Sequence, residues 1–291
     1  MDIFRIRYFA ALGVFAMASI SAPTAAGAAA TTNVPCDSTA LITAINDAGA
    51  GDTLNLDHDC VYLLDGSTGP LPPINVPLTV HGNGSKIKRD PSAPPFRIFT
   101  VNADFRLDRV VLTRGDARNS PGSFGGAVAV FGGTTHLDRM TIKNNTATYS
   151  GGIGSLAGTT LIVSSSRIQG NFATINGGGA ANDGTMSITD SVINNNTAGQ
   201  KGGGLANDGT LRVTRSMVNN NRAGNVGGGI ANVNGGTTIL NRSTVNNNTA
   251  DNAPGGIDNE AGANAVTLIR SNVRGNAPTN CSPTPVPGCV N

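Results

Sequence analysis

The sequence predicts an all-β chain folded as a single-stranded right-handed parallel β-helix, a solenoid with about 25–27 residues per coil, with a short N-terminal capping helix. Two observations lead to this prediction. A Gly-Gly pair recurs at intervals of 26, 27, 25, 25 and 27 residues, at Gly125, Gly151, Gly178, Gly203, Gly228 and Gly255. An asparagine column keeps a matching period, at Asn145, Asn171, Asn196, Asn221, Asn248 and Asn276. Two columns in step indicate stacked repeats.

Each repeat also carries alternating apolar residues, which is typical of a strand with one buried face. In one repeat the expected inward residues are Leu211, Val213, Ser216, Val218 and Asn221. The step from Val213 to Ser216 is three residues, and an odd step reverses the buried face, so we expect a bend there. A coil of this length accommodates three short strands and three turns and adds about 4.8 Å along the axis. Equivalent residues of successive coils should therefore stack in columns.

The asparagine column has a physical reason. Asparagine tolerates the left-handed conformation that a tight corner requires. Its amide can donate a hydrogen bond to one neighbouring coil and accept one from the other, which forms a ladder. The same reasoning predicts a second ladder beside the glycine corner, at Asn182, Asn207, Asn232 and Asn259.

The N-terminus has the features of a secretory signal peptide. Arg5 and Arg7 precede an apolar run over residues 8–20 that is too short to span a bilayer, and small residues follow at positions 26–28. We therefore expect a signal peptide over residues 1–28 and a secreted, extracellular protein that does not span a membrane after cleavage. A membrane anchor is the alternative for this segment.

Residues 29–291 are expected to form one β-helix domain. Residues 34–60 form an N-terminal cap, with a helix from Asp37 to Ala48 that Asp37 or Ser38 caps. Proline-rich residues 61–124 form irregular coils, residues 125–276 form regular coils, and residues 277–291 form a C-terminal tail.

The four cysteines fit an oxidising compartment and allow three disulfide pairings. We expect the local pairing, Cys36–Cys60 and Cys281–Cys289, because the two pairs lie at opposite ends of the chain. A zinc site is the rival interpretation, and it needs four converging ligands. The three histidines are scattered along the sequence, so no metal site and no cofactor is predicted.

The segment GGGLANDGTLRVTRSMVNNNRAGNVGGGIAN, preceded by VPCDSTALITAINDAGAGDTLNL, resembles the exported bacterial right-handed β-helix proteins of the pectin-lyase-like superfamily. The elements GGxIxN and NNxTA are also similar to the repeats of polymorphic outer membrane proteins and related adhesins. The resemblance covers about residues 34–291. It implies a helix that covers the open end of the solenoid and a disulfide that ties this helix to the first coil. Because that superfamily contains lyases, hydrolases and adhesins, it leaves the function open.

A glycoside hydrolase on this fold needs two clustered carboxyl groups. The catalytic candidates are Asp183 and Asp208, at equivalent places in adjacent coils, with Glu260 further along the same column. Both aspartates belong to Asn-Asp-Gly, an ordinary turn sequence, and Val233 interrupts the column. The turn interpretation is favoured. Departures from the repeat, such as Val233 and the corner at residues 258–260, are the informative positions.

A second column carries arginine. Arg215, Arg242 and Arg270 fall on three consecutive coils, just before the serine position of the core. If they face outward, they form a basic strip that could bind an acidic polysaccharide; the alternative is a solvated face that prevents aggregation. A lyase would also need a basic residue beside the acidic column, and none of the four lysines is expected there.

Composition narrows the function further. The net charge of +2 gives no reason to expect a nucleic acid partner. The expected function is that of an exported, non-catalytic binding or adhesion module for polysaccharide or cell-envelope glycan. The alternative is a polysaccharide lyase or glycoside hydrolase.

Overall fold

The computed structural model describes residues 28–120, 122–260 and 265–291. It shows a right-handed parallel β-helix of about ten turns with one short helix, as the sequence predicts. Apart from Ala28, the expected signal peptide lies outside the described residues. Within the described ranges, no helix combines the length and the apolar character that crossing a membrane requires.

Four parallel sheets run along the axis of the solenoid, and each coil contributes a strand to most of them. Sheet A contains Thr31–Val34, Asp52–Leu56, Leu78–His81, Phe105–Asp108, Thr134–Asp138, Thr160–Ser164, Thr185–Thr189, Thr210–Thr214, Thr237–Asn241 and Val266–Ile269. Sheet B contains Val61–Leu64, Lys86–Arg89, Val111–Thr113, Thr141–Lys143, Arg167–Gln169, Val192–Asn194, Met217–Asn219, Thr244–Asn246 and Asn272–Arg274.

The other two sheets complete each coil. Sheet D is short and contains Thr146–Ala147, Phe172–Ala173, Thr197–Ala198, Arg222–Ala223 and Thr249–Ala250. Sheet C contains Phe99–Val101, Val128–Val130, Ile153–Ser155, Ala180–Asn182, Leu205–Asn207, Ile230–Asn232, Ile257–Asn259 and Cys281–Pro283. The central coils therefore have four strand segments each, where the sequence predicted three, because the chain pairs briefly between the asparagine corner and the glycine corner.

The expected bend lies between sheets A and B. A single residue there takes the left-handed conformation, with φ of 46° at Arg215. The equivalent positions share this conformation, with φ between 49° and 52° at Arg109, Arg139, Ser165, Asp190, Arg242 and Arg270. This residue turns the chain so that Val213 and Ser216, three positions apart, both face the core, at 0% and 2% exposure.

The pairing of strands in sheet C corrects one of the predicted equivalences between glycine pairs. Ile153 pairs with Val128, so Gly151 is equivalent to Gly126 rather than to Gly125. Gly125 instead belongs to a column of positive φ with Ser150 and with the first glycine of the later corners. Two adjacent glycines look alike in sequence, and only the conformation distinguishes them.

The core is built from columns of like residues. Val213 pairs with Ile188 on one side and Leu240 on the other, and all three are fully buried. The inward residues predicted for this coil, from Leu211 to Asn221, are all at most 2% exposed. The predicted alternation of inward and outward positions is therefore correct.

Both predicted asparagine ladders are present, but the left-handed residue of the first corner is the one before each ladder asparagine, with φ of 54–55° at Asn144, Asn195, Asn220 and Asn247. Asn221 Nδ2 donates to Asn248 Oδ1 at 2.9 Å and to the carbonyl of Ile193 at 3.0 Å, while Asn221 Oδ1 accepts from the backbone N–H of Asn196 at 3.0 Å. The ladder ends at Asn280, whose Oδ1 accepts from Asn276 Nδ2 at 3.0 Å. In the second ladder the amides of Asn182, Asn207, Asn232 and Asn259 are linked at 2.8, 3.0 and 3.0 Å.

Each end of the solenoid has its own disulfide. Helix α1 spans Ser38–Asp47, and its N-cap residue Asp37 accepts from the Thr39 N–H at 3.0 Å. Leu41 and Ile45 bury its apolar face against the first coils. The disulfides are Cys36–Cys60 and Cys281–Cys289, which is the expected local pairing.

Candidate functional site: a groove along sheet C

The outward face of sheet C carries very small side chains. Leu205 and Asn207 point into the core, so Ala206 between them points outward. Even so, Ala206 is only 6% exposed, and Ala231 in the next coil is fully buried. Outward residues that solvent barely reaches lie below the level of the residues that flank them, and we describe this face of sheet C as a groove. The floor positions in successive coils are Ala129, Gly154, Ala181, Ala206, Ala231 and Asp258.

Residues on either side of each strand form the walls of this groove. One wall is the position that precedes the glycine corner: Phe124, Tyr149, Asn176, Lys201 and Val226. The other wall is the position that follows the strand: Phe131, Leu156, Asp183, Asp208, Val233 and Glu260.

The two halves of the groove differ in chemistry. In the N-terminal half, the Phe124 and Phe131 rings meet edge to face with centroids 5.0 Å apart. The buried guanidinium of Arg97 lies 5.3 Å and 5.4 Å from their centroids. Phe124 also covers Gly154, where a side chain would collide with the ring. This half is therefore filled by the protein itself, and the charged C-terminal half remains for a ligand.

Asp183 and Asp208 stack on this wall. Their neighbours Asn182 and Asn207 are paired residues of adjacent strands, so the two aspartates are separated by about one strand spacing of 4.8 Å. Burial, and then the charge of Asp208, raise the pKa of Asp183 to about 6. Burial also raises the pKa of Asp208, although Asn234 Nδ2 donates to its carboxylate at 3.4 Å. The two predicted carboxylates thus share one low-dielectric wall.

Lys201 crosses the groove. Its Nζ donates to Glu260 Oε1 at 2.6 Å, from one wall to the other and from one coil to the second coil beyond. The expectation that no lysine lies beside the acidic column is therefore wrong. A comparison of equivalent positions could not find this pair, because an extended lysine reaches past its own coil and the intervening wall residue, Val233, is apolar.

Asp258 is the carboxylate that sequence reasoning did not identify as part of the site. It replaces the alanine of the three preceding coils on the groove floor and is only 4% exposed. Burial raises its pKa to about 6; the Lys201 charge opposes this rise and the Glu260 charge adds to it. Among the described residues, no side chain or backbone N–H donates a hydrogen bond to this carboxylate. The signal in the sequence was the break in the repeat at this corner.

The arginine column lies elsewhere. Arg215, Arg242 and Arg270 occupy the exposed bend between sheets A and B, and a five-residue strand such as Thr210–Thr214 separates that bend from the groove. Arg215 binds both carboxylate oxygens of Asp190 in the preceding coil, each at 2.7 Å. The fold therefore does not bring the arginine candidates together with the acidic candidates in one site.

The charged half of the groove can do limited chemistry. No group of three or more metal-ligating side chains is close enough to hold an ion in the part of the chain that the structure describes. The available groups are carboxyls with raised pKa, one ammonium group and the amides of the corners. The carboxyls of Asp183 and Asp258 can accept or donate protons near pH 6, and the ionised carboxylates can bind a cationic group.

The fold and this groove define a class of protein: a right-handed parallel β-helix with the pectin-lyase-like fold. Among solved structures, the crystal structure of pectate lyase Pel9A matches the chain with a TM-score of 0.58 and 14% sequence identity. The match covers 89% of this chain and 80% of that one. No protein-family model and no curated protein matches the sequence. At this identity the likeness shows the fold alone.

Proposed function

We propose that this protein is an exported, non-catalytic β-helix protein that binds an extended polysaccharide, or a cell-envelope glycan, along the groove of sheet C. The observation that carries the proposal is the continuity of the groove. Its floor has small residues from Ala181 to Ala231, and one wall places Asp183 and Asp208 one strand spacing of about 4.8 Å apart. A polymer with its axis along the solenoid would meet carboxylates at Asp183, Asp208 and Glu260, and apolar walls at Val226 and Val233 between the last two.

Two further features support this role. Both disulfides fit a protein that functions in an oxidising, extracellular compartment. The predicted arginine column lies at the bend between sheets A and B and does not reach the acidic wall, so these two columns form no shared acid–base set.

Filling the groove tests the proposal. Ala206→Trp puts a bulky ring on the floor, and we expect it to abolish retention in affinity electrophoresis through gels that contain neutral, acidic or amine-bearing polysaccharides. Arg212→Trp is the matched control, because Arg212 is exposed on the outer face of sheet A. Retention that survives Ala206→Trp would place the binding surface elsewhere.

A glycoside hydrolase is the second candidate, and one observation favours it. Asp183, with its pKa near 6, lies one strand spacing from Asp208, so one carboxyl could donate a proton while the other acts as base or nucleophile. Reducing ends released from a polysaccharide panel, and lost in Asp208→Ala, would support a hydrolase. Unsaturated products absorbing in the ultraviolet would instead indicate a lyase.

A further inference from the structure

The protein places an ammonium group of its own in the charged half of the groove. Lys201 Nζ is 2.6 Å from Glu260 Oε1, and its charge acts on Asp258 at the floor. The pair is not sealed, since the Lys201 and Glu260 side chains are 26% and 36% exposed. A lysine side chain is flexible, so this ammonium can leave without unfolding the coil.

The carboxyl groups outnumber this ammonium. Asp183, Asp208, Asp258 and Glu260 line the groove over four coils, against the single charge of Lys201. The floor between them is alanine, which offers neither a hydrogen bond nor an aromatic face. At near-neutral pH this half of the groove carries excess negative charge, and its field attracts cations and repels polyanions.

Asp258 gives an independent indication of a ligand. It is 96% buried, it faces the groove floor, and no described residue donates a hydrogen bond to its carboxylate. Its oxygens are not among the enclosed side-chain atoms that lack a partner, so they open to the groove, where a group with N–H donors and a positive charge would pair with them. A uronate would add further carboxylates, and a neutral sugar would bring no positive charge to Asp258 beyond that of Lys201.

We infer that the groove around Asp258 and Glu260 recognises a primary ammonium group, so that the bound polymer is an amine-bearing glycan, such as one built from glucosamine units. This inference rests on the proposed glycan-binding function and specifies its ligand class. The ammonium of the ligand replaces that of Lys201 at Glu260 and also reaches Asp258. Lys201 then swings out to solvent, and repeated amino groups along the polymer meet Asp208 and Asp183.

Calorimetric titration of the disulfide-bonded protein at near-neutral pH tests the inference. The ligands are a glucosamine oligomer, its fully N-acetylated form, an oligogalacturonate and an oligolysine. We expect the glucosamine oligomer to bind at least about tenfold more tightly than the acetylated form, because only the free amine makes a charge-assisted hydrogen bond. Oligogalacturonate should not bind the groove.

Three variants locate the site. Asp258→Asn should weaken binding of the glucosamine oligomer by about tenfold, and Lys201→Met should tighten it because the competing ammonium is gone. Asp47→Asn removes the same charge from the exposed end of helix α1 and should change nothing. Circular dichroism checks that each variant is folded.

The outcomes separate the two proposals. Acetylated or uronate oligomers that bind as well as the amine form would overturn the ammonium site and leave glycan binding intact. No binding of any glycan would overturn both. Tighter binding of oligolysine than of the glucosamine oligomer would show that the groove recognises a basic peptide, and the glycan assignment would fail.

Discussion

Lys201 Nζ and Glu260 Oε1 lie 2.6 Å apart although 59 residues separate them in sequence. The contact joins the two walls of the sheet C groove and brings the ammonium near the buried carboxyl of Asp258. Among the described residues of the groove, Lys201 is the cation that meets the acidic column.

Removal of this ammonium should raise the pKa of Asp258. The positive charge of Lys201 favours the ionised form of Asp258. Lys201→Met removes that charge, so the carboxyl should titrate at a higher pH than in the wild type. Carboxyl-carbon NMR titration measures this directly. The free energy of unfolding should change by less than about 1 kcal/mol, because the pair is partly exposed. Lys143→Met, on sheet B, is the control; an unshifted Asp258 in Lys201→Met would contradict the geometry.

Asp183 should destabilise the protein at neutral pH. Its pKa is about 6 in the folded state against 3.8 as the ordinary value, so the folded state holds the proton more tightly. The contribution of Asp183 to the stability of the protein is therefore most favourable at low pH. It becomes less favourable as pH rises from 3.8 through about 6. Asp183→Asn should be neutral near pH 4 and should raise the free energy of unfolding by up to about 3 kcal/mol above pH 7.

Asp190→Asn provides the control of opposite sign for that measurement. The hydrogen bonds from Arg215 lower the pKa of Asp190, so its contribution is present above the ordinary pKa and disappears as pH falls. Urea unfolding of both variants at low and neutral pH gives the comparison. Equal effects of Asp183→Asn at both pH values would show that Asp183 is not a raised-pKa carboxyl.

Val218 should not tolerate charge. It is fully buried and pairs with Ile193 and Val245 in a column of the core. Val218→Asp should cost more than about 3 kcal/mol of the free energy of unfolding, since the carboxylate has no partner there. Met217→Asp, next to it but 46% exposed, should cost far less. Similar denaturation midpoints for both variants would refute the inward register.

The first asparagine ladder should contribute measurably to stability. Asn221→Ala removes the amide that donates to Asn248 and Ile193 and that accepts from the Asn196 N–H, so buried groups lose their partners in two directions. The free energy of unfolding should fall by about 2–4 kcal/mol. The control is Asn252→Ala, which removes an exposed hydrogen bond to Asn225. The free energy of unfolding measured with denaturant should barely change in this variant. A cost as small as that of the control would mean that the ladder is dispensable.

The sequence by itself determined the solenoid, its inward columns, both asparagine ladders and the disulfide pairing. The columns and ladders repeat with the coil, so stacking equivalent positions was enough to predict them. The disulfide pairing was expected because the two cysteine pairs lie at opposite ends of the chain. It also placed Asp183, Asp208 and Glu260 in one column. Resemblance and spacing could not choose between adjacent glycines, as at Gly125 and Gly126, because that choice depends on which of them needs a positive φ.

The tertiary structure decided the site. A strand of sheet A, such as Thr210–Thr214, separates the arginine bend from the acidic wall. The fold also brings Lys201 across the groove to Glu260. It also showed that Asp258 is buried at the floor and that no described residue donates a hydrogen bond to its carboxylate. These relationships depend on how far side chains reach between coils and on how much solvent the walls exclude. Neither the reach nor the exclusion of solvent can be read from a pattern of equivalent positions in the sequence.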